Sequence, residues 1–218
     1  MQEFIEACGR HRCLAVLRAP DFDRGLAMAE AAIAGGLRLI EVTWTGAEPG
    51  RLVRTLRQRH PQVRVGAGSV LTPEHLQSVR DAGGQFAFSP IWDPDLLSRA
   101  RQLALPYVPG ALTPSEIQAV RRAGATVVKL FPVDALGGVR YLRSLQAPLD
   151  HPCLIPCGGI DVAMALACLR AGALAVGVGG ELFRRDWVQA GDWQAITAIA
   201  RDYAALAAIP ATEAGYSS

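Results

Sequence analysis

No apolar run in this chain is long and clean enough to cross a bilayer. The most apolar stretch, residues 163–180, is interrupted by Arg170 and rich in glycine, whereas a spanning helix needs about 20 predominantly apolar residues. The opening residues, Met1-Gln2-Glu3-Phe4-Ile5-Glu6, turn acidic before any apolar core develops, so they do not read as an export signal and a cytoplasmic protein is expected. An excess of one charge is also missing. The 22 basic and 20 acidic residues are interspersed and leave a formal net charge of +2. That excludes the basic stripe of a nucleic-acid binder and the patch of a membrane-surface protein. Cysteine is sparse: Cys8, Cys13, Cys153, Cys157 and Cys168 are odd in number and contain no C-x-x-C pair. A disulfide framework is therefore excluded. Cys153 and Cys157 have no partner pair at zinc-like spacing, and the five thiols read as small buried hydrophobes. The histidines (His11, His60, His75, His151) fall in helical or linking segments, so no metal centre is expected.

What the chain does contain is one repeated pattern. A short β-branched run ends at glycine or proline, a polar start signal follows, and then comes a helical stretch rich in Ala, Leu and Arg. The pattern predicts strands at residues 14–17, 39–44, 63–69, 86–89, 107–110, 127–131, 153–157 and 175–178. Helical periodicity fills the gaps at 22–35, 48–60, 73–83, 93–104, 114–124, 139–149 and 162–172. Thr72-Pro73 and Thr113-Pro114 place a hydroxyl cap before a first-turn proline, with Glu74 and Glu116 close behind. Ala34-Gly35, Ala82-Gly83, Ala123-Gly124 and Ala171-Gly172 are expected to close helices with a left-handed glycine. A helix at Gln2–His11 precedes the first strand, one at 192–209 follows the eighth, and residues 211–218 are expected to fray. Eight β/α units leave a closed barrel or a doubly wound open sheet. No G-x-G-x-x-G follows the first strand, as a dinucleotide-binding open sheet would require. The expected architecture is a single-domain (β/α)₈ barrel over residues 1–210, with an extra N-terminal helix plugging its bottom.

In such a barrel the chemistry sits at the C-terminal ends of the strands. Two charges stand inside apolar strands there: Glu41 in Leu39-Ile40-Glu41-Val42-Thr43 and Lys129 in Val127-Val128-Lys129-Leu130-Phe131. An isolated buried charge is costly, so each must pair or move toward neutrality. Burial lowers a lysine's pKa and frees the amine that imine formation needs. A neighbouring carboxylate partly opposes that shift but supplies a proton shuttle. A purely structural ion pair is the alternative, yet a buried pair is often no better for stability than two apolar residues. Its position at two strand ends favours function. Gly158-Gly159 and Gly179-Gly180 follow the last two strands, where barrels frequently bind phosphate through backbone N–H groups. Glu181 beside them would repel a phosphate.

These residues resemble the 2-keto-3-deoxy-6-phosphogluconate (KDPG) and 4-hydroxy-2-oxoglutarate (KHG) aldolase family over nearly the whole chain. The matching segments are Leu39-Ile40-Glu41-Val42-Thr43, Val65-Gly66-Ala67-Gly68-Ser69-Val70-Leu71, Phe88-Ser89-Pro90 and Val128-Lys129-Leu130-Phe131-Pro132. The others are Gly137-Gly138-Val139, Cys157-Gly158-Gly159-Ile160 and Gly177-Val178-Gly179-Gly180. The resemblance implies an imine-forming aldolase without metal or other cofactor, usually a homotrimer, that takes a small 2-keto acid and releases pyruvate. It implies Lys129 as the Schiff-base lysine and Glu41 as general acid/base. Ser69 would help hold the pyruvate carboxylate, and Pro90 and Phe131 would pack around the keto acid. Thr43, Thr45 and Arg18 complete the expected pyruvate end. Thr45 stands where the phosphogluconate branch carries an arginine. Arg18 is the candidate replacement and resembles the phosphogalactonate branch, as does Gly180-Glu181-Leu182-Phe183-Arg184. The Gly137-Gly138-Val139 turn resembles the phosphogluconate branch, and both substrates stay open. A sugar-phosphate isomerase and a non-catalytic binder of phosphorylated sugar acids are the remaining alternatives.

Overall fold

The computed structural model describes residues 1–209; the tail expected at 211–218 lies outside the described residues. Nine short strands occupy the predicted strand positions: β1 (Cys13–Leu17), β2 (Leu39–Thr43), β3 (Arg64–Gly68), β4 (Ala87–Phe88), β5 (Tyr107–Val108), β6 (Gly110–Ala111), β7 (Val128–Leu130), β8 (Leu154–Pro156) and β9 (Val176–Val178). Every pairing between them is parallel. They form a curled sheet in two parts, ordered β5-β4-β3-β2-β1-β9 and β6-β7-β8. The segment expected as one strand at 107–110 is split at Pro109, which has no N–H to offer a ladder. The two halves pair with different neighbours, Val108 with Phe88 and Gly110 with Lys129. A single parallel bridge, Cys157 to Gly177, links the end of β8 to β9.

Helices alternate with the strands: α1 (Gln2–His11), α2 (Phe22–Ala34), α3 (Pro49–Arg59), α4 (Pro73–Asp81), α5 (Pro94–Gln102), α6 (Pro114–Arg122), α7 (Val139–Gln146), α8 (Val162–Arg170), α9 (Arg185–Ala190) and α10 (Trp193–Ala205). Their starts follow side-chain chemistry. Thr72 accepts from the His75 N–H, and Thr113 with Glu116 forms a reciprocal capping box. Asp21, Asp93, Asp161 and Asp192 cap α2, α5, α8 and α10 in the same way. Gly83, Gly124 and Gly172 adopt positive φ as expected, but the left-handed residue after α2 is Gly36, not Gly35. Gly35 answers a different demand. A Cβ there would lie 2.4 Å from the Ala200 Cβ on α10, so the residue is small to let two helices touch. The six-residue α9 and a 3₁₀ turn at Asp134–Leu136 are additions to the sequence reading. Among the described residues, no helix is long and apolar enough to cross a membrane.

Two apolar layers result from the alternation of side chains along each strand. Ile40, Val42, Val128, Leu130, Val176 and Val178 face the helices in the larger cluster. Leu14, Leu39, Phe86, Phe88, Val108, Val127 and Ile155 face inward, with Phe4, Ile5 and Cys8 of α1 packed among them. The Phe4 ring lies 5.0 Å from Phe86 and 5.9 Å from Phe88, the second pair edge-on. Thus α1 seals one end of the sheet's interior with an aromatic plug. All five cysteines are unpaired and buried; burial pushes the Cys153 and Cys157 thiols up to about 12, so they stay uncharged. Phe4→Ala should remove this plug. Truncating a buried phenylalanine costs about 3–5 kcal/mol, which urea unfolding should register. A loss below about 1 kcal/mol would show that the cavity relaxes or that α1 contributes little.

Candidate active site

The inward alternation carries two charges as well as apolar residues. Leu39, Glu41 and Thr43 share one face of β2; Val127, Lys129 and Phe131 share one face along β7. The apolar members place that face inside the curl. The neighbouring strand makes room for the carboxylate. Gly68 pairs with Thr43 on β2, and a Cβ at Gly68 would stand 1.6 Å from Glu41 Oε1. The position therefore admits no side chain while Glu41 stays where it is. Lys129 Nζ reaches to 3.6 Å from Glu41 Oε1, an ionic contact slightly longer than a good hydrogen bond. It also lies 5.3 and 5.7 Å from the ring centres of Phe131 and Phe88, within reach of a cation–π attraction. Glu41 is 0% exposed and Lys129 6%.

Electrostatics correct one expectation. Burial pushes the Lys129 amine down, but the Glu41 carboxylate pushes it up, and the amine stands above the ordinary lysine value. Burial alone thus does not neutralise this lysine, because its partner comes with it. Burial pushes the Glu41 carboxyl up, against the opposing pull of Lys129. A carboxylate made more basic beside an ammonium can take that ammonium's proton. The resulting neutral amine and neutral acid avoid the cost of two charges in a dry site. Both carboxylate oxygens of Glu41 and the Thr43 hydroxyl are buried without a hydrogen-bond partner among the described residues.

Lys129 and Glu41 open into a cavity of about 640 Å³, which Arg18, Thr43, Ser69, Pro90, Phe131, Gly179 and Gly180 also line. Each of these follows or ends a strand. Ser69 holds a left-handed backbone at φ 55°, uncommon for a residue with a side chain and frequent at functional sites. Three expected site residues lie outside that lining. Thr45 meets the cavity indirectly, accepting a hydrogen bond from Arg18 Nη1. Gly158 and Gly159 are turned against Asp134; a Cβ on either would come within 3.1 and 2.5 Å of its carboxylate oxygens. The sequence reading missed the part of the lining formed by Arg24 and Met28 of α2 and by Phe183, Arg185, Val188 and Gln189 in and before α9. It also passed over one signal in plain view: Lys129 is the only lysine among the chain's 22 basic residues.

Comparison with known proteins places the chain in a family. Residues 4–199 match the family model described as KDPG and KHG aldolase. The KHG/KDPG aldolase of Escherichia coli K12 is 34% identical over 187 residues, covering 86% of this chain and 88% of its own. The 2-dehydro-3-deoxy-phosphogluconate aldolase of Dickeya dadantii is 34% identical over 83% of this chain and 84% of its own. Among solved structures, the 2-keto-3-deoxy-6-phosphogluconate aldolase of Zymomonas mobilis ZM4 with 3-phosphoglycerate superposes with a TM-score of 0.85 at 27% identity. It covers 97% of this chain and all of its own. The KDPG aldolase of Legionella pneumophila, holding pyruvate as a covalent carbinolamine, gives a TM-score of 0.83 at 26% identity over 90% of this chain and 96% of its own. The chain belongs to the KDPG and KHG aldolase family.

Proposed function

We propose that this chain is a class I aldolase that cleaves 2-keto-3-deoxy-6-phosphogluconate to pyruvate and glyceraldehyde 3-phosphate, and 4-hydroxy-2-oxoglutarate to pyruvate and glyoxylate. The observation that carries the reading is the buried Lys129–Glu41 pair, 3.6 Å apart and facing a cavity large enough for a six-carbon acid. The related Legionella enzyme captures pyruvate covalently, as an amine nucleophile would. Arg18 on the cavity wall keeps the galactonate-derived isomer as a second substrate reading. Catalysis would use one polypeptide unit over residues 1–210, its two sheet parts joined into a closed (β/α)₈ barrel. The Cys157–Gly177 bridge and the bond from Lys129 N–H to Pro109 O support that closure. A homotrimer would cover the exposed apolar side chains of Leu71, Ile91 and Leu136.

In this mechanism Lys129 passes its proton to Glu41 and the neutral amine attacks the C2 ketone. Glu41 returns a proton as the carbinolamine loses water, giving a protonated imine. Glu41 then takes the C4 hydroxyl proton, the C3–C4 bond breaks, and its electron pair flows into the imine to form an enamine. The aldehyde leaves; protonation at C3 and hydrolysis release pyruvate and restore the amine. The imine nitrogen is the electron sink, so no step calls on a metal or organic cofactor. Arg18, Thr43 and Ser69 would hold the keto-acid carboxylate, with Thr45 steadying Arg18. Pro90 and Phe131 would pack against the C3 methylene. Gly179 and Gly180 would admit the far phosphate; Gly158 and Gly159 would stand one step behind, across Asp134.

Three measurements test this. Borohydride with pyruvate should fix one reduced adduct on wild type, located by mass spectrometry at the only lysine, and none on the side chains of Lys129→Ala. A wild-type chain left unmodified would sink the imine mechanism. Glu41→Gln should still bind pyruvate while losing at least about 100-fold in kcat, the usual contribution of a positioned acid/base. Because burial raises the Glu41 carboxyl, the wild-type rate should fall with decreasing pH at a point above the ordinary carboxylate range. That limb should be absent from Glu41→Gln; near-normal turnover in this variant contradicts the role. Gly68→Ala should displace Glu41 and cost on the order of 100-fold in kcat, the scale of a 1 Å misplacement of a catalytic group. Its circular dichroism should stay native-like, and full activity in this variant would show that Glu41 need not hold its place.

A further inference from the structure

We infer that Arg24 and Arg185 read a terminal oxyanion on the substrate, so that the enzyme selects 4-hydroxy-2-oxo acids whose far end carries a negative charge. The inference rests on the aldolase reading and concerns the part of the cavity lined by helices rather than by strand ends. The candidate reacting groups occupy the strand ends, whereas α2 and α9 supply another part of the lining. Met28, Phe183 and Val188 are buried there and fix the two helices. Arg24 and Arg185 are the cationic residues that these two helices contribute to the lining.

The glycine turns alone are poorly placed to favour a charged end. Gly158 and Gly159 abut the Asp134 carboxylate, and the exposed Glu181 directly follows Gly180. A terminal oxyanion near these carboxylates needs compensating cations. Gly180 still provides space. A Cβ there would meet nothing of the protein within 4 Å, so packing does not demand glycine at this position, and a ligand can approach the backbone closely. The two arginines differ in what they have to offer. Arg24 shares its charge with Asp21 at 3.4 Å. Arg184 is committed to Asp186 at 3.4 Å and lies 5.0 Å from the Trp187 ring centre. Arg185, next to it, makes no ion pair among the described residues and faces the cavity instead. Its planar fork suits two oxygens of a phosphate or carboxylate. Arg185 therefore carries the larger share of the recognition.

The test compares kcat/KM for 2-keto-3-deoxy-6-phosphogluconate, its dephosphorylated counterpart and 4-hydroxy-2-oxoglutarate, in wild type, Arg24→Gln, Arg185→Gln and the control Arg122→Gln on α6. The ratio of phosphorylated to neutral substrate should drop on the order of 10-fold in Arg185→Gln, the effect of losing one charge-assisted hydrogen bond. Arg24→Gln should show a smaller drop, and Arg122→Gln none. The change should lie in KM and shrink at high salt, because these guanidinium groups are exposed. A parallel loss on 4-hydroxy-2-oxoglutarate assigns the site to terminal carboxylates as well; a loss confined to the phosphorylated acid assigns it to phosphate. An unchanged ratio in both cavity variants overturns the inference. Failure of wild type to trap pyruvate would instead overturn the aldolase reading beneath it.

Discussion

A lysine and a glutamate withdrawn from water inside a sheet of apolar strands impose most of what is unusual in this molecule. Neither charge could stay there alone, since desolvation would cost several kcal/mol per ion. Their 3.6 Å approach makes burial tolerable, and it constrains everything nearby. Strand β3 must present Gly68 at that level, because any side chain would occupy the carboxylate's volume. The Cys157 thiol, which interacts electrostatically with the pair, stays uncharged because burial raises it to about 12, so it adds no competing anion. Phe88 and Phe131 line the approach to the amine with ring faces, which tolerate an ammonium and contribute no basic atom. The neighbourhood leaves one acid and one base to exchange a proton with each other.

Coupling of this kind changes how the nucleophile is made available. A solitary buried lysine becomes neutral by losing its proton to water, at the expense of a depressed pKa. Here the carboxylate holds the lysine's pKa above its ordinary value, and in the proposed mechanism the free amine would arise within the pair by transfer to a carboxyl that burial has made more basic. On that proposal, the same partner that would keep the proton available for dehydration steps would also control when the amine can attack. Acid/base function and nucleophile activation would then be two consequences of one distance.

Legibility in the sequence followed the strength of the local physics. Strand centres were visible because alternation and β-branched runs repeat eight times, and α1 was bounded correctly from its polar ends. Thr72 and Thr113 were legible as caps because a hydroxyl before Pro at N1 has few other uses. What escaped depended on approach in space. Gly35 was taken for a turn residue, but its partner is Ala200, distant in sequence. The break at Pro109 reflects a change of pairing neighbour that no single strand's pattern encodes. Arg24 and Arg185 carried no signal in the sequence; only folding brings α2 and α9 to the same cavity as the strand ends. The sign of the Lys129 shift likewise needed the distance to Glu41, since burial and pairing push in opposite directions.

The single lysine gives the site a further chemical consequence. Arginine stays protonated at any physiological pH and is no nucleophile toward a ketone, so a surface built from arginine can attract keto-acid anions without reacting with them. In this chain every basic side chain other than Lys129 and the histidines is arginine. Among the side chains, the proposed imine chemistry therefore has one address, and that address is buried. Arginines at the rim can concentrate anionic substrate while the one amine able to bond to it waits inside. Separating attraction from reaction in this way requires two kinds of cation, and the chain distributes them accordingly.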